Sequence, residues 1–238
     1  MDASQGRKNA ARRCLPLCVK DSALLTAISA ALLGFAMSTN WSTTTMDCTG
    51  IGTNNGSATI TMGLFEGLVV RDSCPSFGSQ NEFPVFTELS RITKTPMILH
   101  GLCVCLLALC LLCSVLSILI SFYNSVSNPY ETFMGPIGVY VCSSTSACLS
   151  LLVLIIFVLN ITVTTMAEEL VPSIETIVSV VLRNKTSQMQ VGYFLVIPYM
   201  VLSLGAVLLI YLYEHTAYTH RREQERPTED APKEIMMY

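Results

Sequence analysis

Ten cysteines and three histidines are the side chains of this sequence best suited to bind a metal or attack a substrate. Four of the cysteines, Cys103, Cys105, Cys110 and Cys113, crowd one apolar run, and Cys142 and Cys148 lie in another. Converging thiolates would suit zinc. On a helix, however, residues two apart point to nearly opposite faces, so Cys103 and Cys105 do not converge. Cys110 and Cys113 can meet, but no His or carboxylate joins them at a ligand spacing. These cysteines read as small, soft hydrophobic filler, and neither a metal nor a cofactor is expected. His100 is the one ionisable side chain deep in an apolar run, close to its end. Ser and Cys are abundant, yet no general base accompanies them as nucleophilic catalysis needs. No catalytic residue is assigned, and an enzyme is not expected.

The elements that hold these residues follow from missing charge. Only 13% of the 238 residues are charged and 51% are hydrophobic, against about 25% charged in soluble domains. Four windows, Ser22–Met46, Thr95–Tyr130, Thr132–Ala167 and Thr186–Tyr213, contain no Asp, Glu, Lys or Arg. A helix needs roughly 20 apolar residues to cross a bilayer, and each window holds such a run. The expected fold class is an α-helical membrane protein, a four-helix bundle in a lipid bilayer. Its spans are residues 22–40, 96–122, 135–159 and 191–213, with termini at 1–21 and 214–238. Residues 41–95 and 160–190 form two outer loops, and 123–134 a cytoplasmic hairpin. A net charge of −3 without a concentrated basic face argues against nucleic acid as a partner.

Lys and Arg near the spans set the orientation. Arg7, Lys8, Arg12, Arg13 and Lys20 precede the first span, and Arg221, Arg222, Arg226 and Lys233 follow the last. Both termini are therefore expected in the cytoplasm of a multi-pass plasma-membrane protein. A cleaved leader ending at Ala36-Met37-Ser38 fits less well, because the segment before it is long and holds two cysteines. The Asn-x-Ser/Thr sequons all fall outside or at an outer edge. Asn55 and Asn184 are the credible glycan acceptors; Asn40 and Asn160 lie close to the bilayer and are weaker candidates.

The first outer loop contains "TTTMDCTG" and "SATITMGLFEGLVVRDSC", which read as strands. "ETIVSVVL", Glu175–Leu182, reads as a strand added to the edge of their sheet. Cys48 and Cys74 flank the first-loop strands in an oxidising compartment and are expected to form a disulfide. Cys14 and Cys18, four apart beside basic residues, are palmitoylation candidates. Small residues suggest close helix approach along Ala23, Ala27 and Ala31, with Ala30 and Gly34 on a second line, and along Ser143, Ser146, Ala147 and Ser150. Trp41 and Tyr193 are expected in an outer aromatic belt, and Tyr211 and Tyr213 in an inner one.

Between the second and third spans, "SFYNSVSNPYETFMGPIGVY" carries one charge, Glu131. Asn128-Pro129 ends one helix and Gly135-Pro136 starts the next, so the stretch is a helical hairpin rather than a catalytic loop. It closely resembles the loop that identifies the clarin family, through Tyr123, Asn124, Pro129, Thr132, Gly135, Pro136 and Gly138. Gly63, Leu64, Phe65 and Gly67 of "GLFEG" resemble a second family segment, and the tail before "APKEIMMY" is most similar to the third clarin paralogue. Clarins are similar to the wider claudin-like tetraspan group, which implies a small extracellular sheet over the bundle. Phe65 replaces that group's second Trp, and Cys48 precedes Gly63 instead of following it, so a claudin's barrier function does not carry over directly.

The resemblance implies a non-enzymatic organiser of membrane assemblies, with family association to hearing and hair-cell integrity. Its expected partners are other integral membrane proteins, with homo-oligomers allowed. Met236 and Tyr238 end the chain in a form that resembles a PDZ ligand, for a cytoplasmic scaffold. Cell–cell adhesion and service as an auxiliary subunit of an ion channel are the alternatives.

Overall fold

The computed structural model describes residues 3–49, 55–72, 79–126, 136–174 and 181–225. Four long helices dominate it: α1 (Ala3–Ser38), α3 (Lys94–Val126), α4 (Pro136–Val163) and α6 (Val191–Glu225). Each holds a stretch long and apolar enough to cross a bilayer, at Asp21–Ser38, Lys94–Tyr123, Ile137–Val163 and Val191–Leu212. Two short helices, α2 (Val85–Leu89) and α5 (Met166–Ile174), complete the helical set.

The bundle closes as a ring in which α1 packs on α3 and α6, and α4 on α3 and α6. Its interior is small and hydroxylated. Ser22, Thr26, Ser29, Leu33 and Ala36 are the buried positions within residues 21–38 of α1, and Ser143, Ser146, Ala147 and Ser150 are buried on α4. The α4 line is the expected one. The α1 line is not: Ala27, Ala31 and Gly34 face outward and Ala23 and Ala30 are only half-buried. Two of the three α1 hydroxyls return their proton to their own helix, Thr26 Oγ1 to Ser22 O (2.9 Å) and Ser29 Oγ to Thr26 O (2.8 Å), whereas Ser22 Oγ is buried without a hydrogen-bond partner among the described residues. In those two the polar atom is satisfied within the helix, and the short side chain lets neighbours approach.

Strands β1 (Ser42–Thr49), β2 (Asn55–Met62), β3 (Glu66–Asp72), β4 (Ser79–Pro84) and β5 (Val181–Met189) form one antiparallel sheet of order β4-β3-β2-β1-β5. Alternation sorts its faces. Met46, Cys48, Ala58, Ile60, Val69 and Phe83 are buried, whereas Thr45, Asp47, Val70 and Glu82 face out. The buried face joins Val85 and Leu89 of α2, and Met166, Leu170 and Val171 of α5, in one core continuous with the bundle. β5 occupies the edge beside β1 as expected, but it runs later than "ETIVSVVL". Residues 175–180 of that segment lie outside the described set.

Candidate functional site: the joint between sheet and bundle

Trp41 is fully buried rather than lipid-facing, which corrects the aromatic-belt expectation. Its indole N–H donates to Ala36 O at 2.8 Å, a carbonyl at the end of α1 that also accepts from Thr39 N (3.3 Å) and Thr39 Oγ1 (3.0 Å). Its backbone N–H donates to Met62 O, and its carbonyl accepts from Gln190 N, both at 2.8 Å. The ring meets Phe157 of α4 edge-on, with centroids 5.0 Å apart. A Cβ at Gly192, in the first turn of α6, would lie 2.5 Å from Trp41 Cδ1. One residue therefore ties α1, β2, α4 and the β5–α6 junction together. Tyr193 is half-buried beside Phe157, at a centroid distance of 6.1 Å.

The "GLFEG" segment is the β2–β3 turn. Gly63 N donates to Glu66 O at 2.9 Å, and Val85 N donates to Phe65 O at 2.9 Å. Leu64 is buried, and its carbonyl lies 2.9 Å from His100 Nε2, while the Phe65 ring is 49% exposed. His100 is fully buried under Phe86 of α2, with ring centroids 5.4 Å apart. Its role is that of a clamp between helix and turn. Gly67 is required sterically, because a Cβ there would stand 2.3 Å from Phe83 Cζ. Gly138 plays a milder version of that part between α4 and α3, where its Cβ would lie 3.2 Å from Ile120 Cδ1.

Two further fasteners were not apparent from sequence. Arg71 is only 4% exposed on the inner face of β3, and its Nη2 donates to Val171 O at 3.4 Å near the C-terminal end of α5. A cation suits the negative end of a helix. Glu169 of α5 accepts from Thr93 N (3.2 Å), Thr93 Oγ1 (2.9 Å) and Thr165 Oγ1 (2.6 Å). Those bonds, led by the Thr165 hydroxyl, hold the Glu169 carboxyl below its usual range. A carboxylate three residues into an amphipathic stretch signals a helix start, and that was the available clue to α5.

The remaining sequence candidates are dispersed. Cys103 and Cys110 are buried and Cys105 is exposed, in keeping with the helical step between them. Cys110 Sγ donates to Ser146 O at 3.5 Å, and Tyr199 Oη lies 3.1 Å from Ser114 Oγ. These contacts link helices and assemble no nucleophile with a base. Cys48 is buried in β1 and is not among the free thiols; Cys74 lies outside the described residues. Asn184 is exposed at φ 56°, where β5 bulges against β1, and donates to Asp47 Oδ2 at 2.9 Å. Asn55 opens β2, and Asn40 is exposed. Asn160 is fully buried with its amide on Pro96 O at 3.5 Å. Tyr123 and Asn124 lie in the last turns of α3, and Pro136 opens α4. Pro129, Thr132, Gly135, Met236 and Tyr238 lie outside the described residues, and nothing is described of the side chains of Cys14 and Cys18.

A family model described as Clarin-2-like matches residues 18–210, which includes three spans and all but the last residues of the fourth, the sheet and its joint. The chain is a clarin. It is 30% identical over 186 residues to human clarin-3, covering 78% of this chain and 80% of that relative. Mouse and rat clarin-3 are 31% and 32% identical over 188 and 187 residues, with the same coverage. The matched segment of this clarin holds both the Trp41 joint and the His100 clamp.

Proposed function

We propose that this clarin is a non-enzymatic organiser of membrane protein assemblies in the plasma membrane, with both termini cytoplasmic and the sheet outside. The observation that supports this reading is the joint. Trp41, His100, Arg71 and Glu169 each bind a group on another element, so sheet and bundle form one stiff body. A stiff body with lipid-facing helices and an outward strand face is suited to hold neighbours in register. His100 Nε2 and Cys110 Sγ are bonded to the backbone carbonyls of Leu64 and Ser146.

The same reading takes Cys48 and Cys74 as a disulfide, Asn55 and Asn184 as glycan acceptors, and Cys14 and Cys18 as palmitoylation sites. It takes Met236 and Tyr238 as a scaffold-binding end, and it includes the association with hearing that family membership suggests. The test is purification of tagged full-length protein in mild detergent, with quantitative mass spectrometry. A stoichiometric foreign membrane protein is expected; recovery of this chain alone contradicts the proposal.

A further inference from the structure

We infer that two copies of this clarin associate side by side in the membrane, through a patch at the sheet end of the bundle that is complementary to itself. A groove of about 430 Å³ lies against the outer face of β3 and β4, lined by Glu66, Leu68, Glu82 and Pro84 among others. Both carboxylates are exposed. After β4 the chain passes through α2 to Arg91 and then to Lys94, the first residue of α3. Lys94 is exposed, and the Arg91 side chain is 61% exposed.

The acidic and basic halves stand at one end of the bundle. The turn that carries Glu66 is bonded to Val85 of α2 and to His100, within the first two turns of α3. Phe65 and Pro84, both exposed, supply apolar surface beside the charges. Among the described residues, the ion pair of this patch joins Arg91 to Glu88 at 2.9 Å, three residues apart. The bonds to the buried Glu88 carboxylate come from Nη1, so the other N–H groups of this exposed guanidinium retain the capacity to meet another carboxylate.

The bilayer decides how these halves can be used. Copies in one membrane share one orientation, so a twofold axis between them must run along the membrane normal. Rotation about that axis lays the acidic half of one copy on the basic half of the other, and the reverse contact forms at the same time. This is an isologous interface, in which the same surface serves both partners. Charge complementarity fixes its register and penalises like-charge pairing. The inference rests on the organiser reading and names one of its partners as a second copy of the chain.

Full-length protein with two tags tests it by charge reversal. One form carries Glu66→Lys and Glu82→Lys; the other carries Arg91→Glu and Lys94→Glu. Each form, expressed with itself, is expected to self-associate about tenfold less than wild type, a decade being about 1.4 kcal/mol. Expressed together, the all-basic and all-acidic patches complement each other, and co-recovery is expected to return. That restoration also shows that both forms fold. Failure to restore it, or wild-type copies that do not co-recover, overturns the inference. If wild-type copies stay single while a foreign membrane protein co-purifies, self-association fails and the organiser reading stands. If reversal instead abolishes capture of that foreign protein alone, the groove belongs to a basic segment of it, and self-association is again overturned.

Discussion

A Cβ on Gly192 would lie 2.5 Å from Cδ1 and 2.7 Å from Nε1 of Trp41, so the start of α6 and the end of α1 meet only because position 192 has no side chain. The indole N–H would be displaced from Ala36 O at the same time. Gly192→Ala is expected to destabilise the protein by about 1–3 kcal/mol, the usual cost of overpacking. Trp41→Ala, which removes a fully buried ring, should cost about 3–5 kcal/mol. Thermal unfolding in detergent checks both; unchanged midpoints would remove the joint from the account.

Gly67 and Phe83 give a separable test of the sheet. Gly67→Ala would press on the Phe83 ring, 2.3 Å away, and should lower the unfolding midpoint. Phe83→Val adds a cavity but removes the clash. The double variant should therefore be more stable than the sum of the two singles predicts, by about 0.5–3 kcal/mol for residues in contact. Simple additivity would refute the contact.

Asn184 combines a backbone demand with a proposed glycan. Its φ of 56° lies in the left-handed region, which Asn and Gly tolerate and β-branched residues resist. Asn184→Gly should keep the fold and lose one glycan step on a gel, whereas Asn184→Val should lose the glycan and fold poorly. Asn55→Gln should remove another step. Asn160→Gln should remove none, since Asn160 is fully buried. A third step lost at Asn160 would contradict its placement.

The Glu169 latch carries a pH signature. Its carboxyl is held below the ordinary range by the Thr165 and Thr93 donors, so the folded state binds the proton less readily than the unfolded chain. The associated stability is complete above the unfolded pKa and fades as pH falls through the depressed folded value. Glu169→Gln should lower stability at neutral pH, where the carboxylate's bonds are fully present, and flatten the acidic limb, so that variant and wild type converge at low pH. An unaltered acidic limb would show that the three bonds to Glu169 do not contribute.

The spans were legible because lipid removes charge from whole windows, and length alone then separates a crossing helix from a buried one. Strands β1 to β3 were legible from Thr, Ile and Val alternation, since one face of the sheet is buried and the other is not. The α1 packing face was misread because alanines look like contact residues, while the hydroxyls of Ser22, Thr26 and Ser29 look solvent-seeking. In the bundle the Thr26 and Ser29 hydroxyls bond backward into the helix and take the interior. Trp41 was misread for a related reason: an amphipathic ring near a span end suits an interface, and only tertiary contact reveals Ala36 O as its partner. β4, with "SQNEFP", and α2 lack strong periodicity and exist because the sheet and bundle surround them. The clamp between His100 and Leu64 O joins residues 36 positions apart, which no local pattern records.

The measurement closest to the central claim is the native mass and composition of tagged full-length protein, taken from cell membranes in mild detergent. The account predicts a stoichiometric complex of this clarin with a foreign integral membrane protein, holding two copies of the chain. A single copy free of any partner, under conditions where the sheet remains folded, would contradict it.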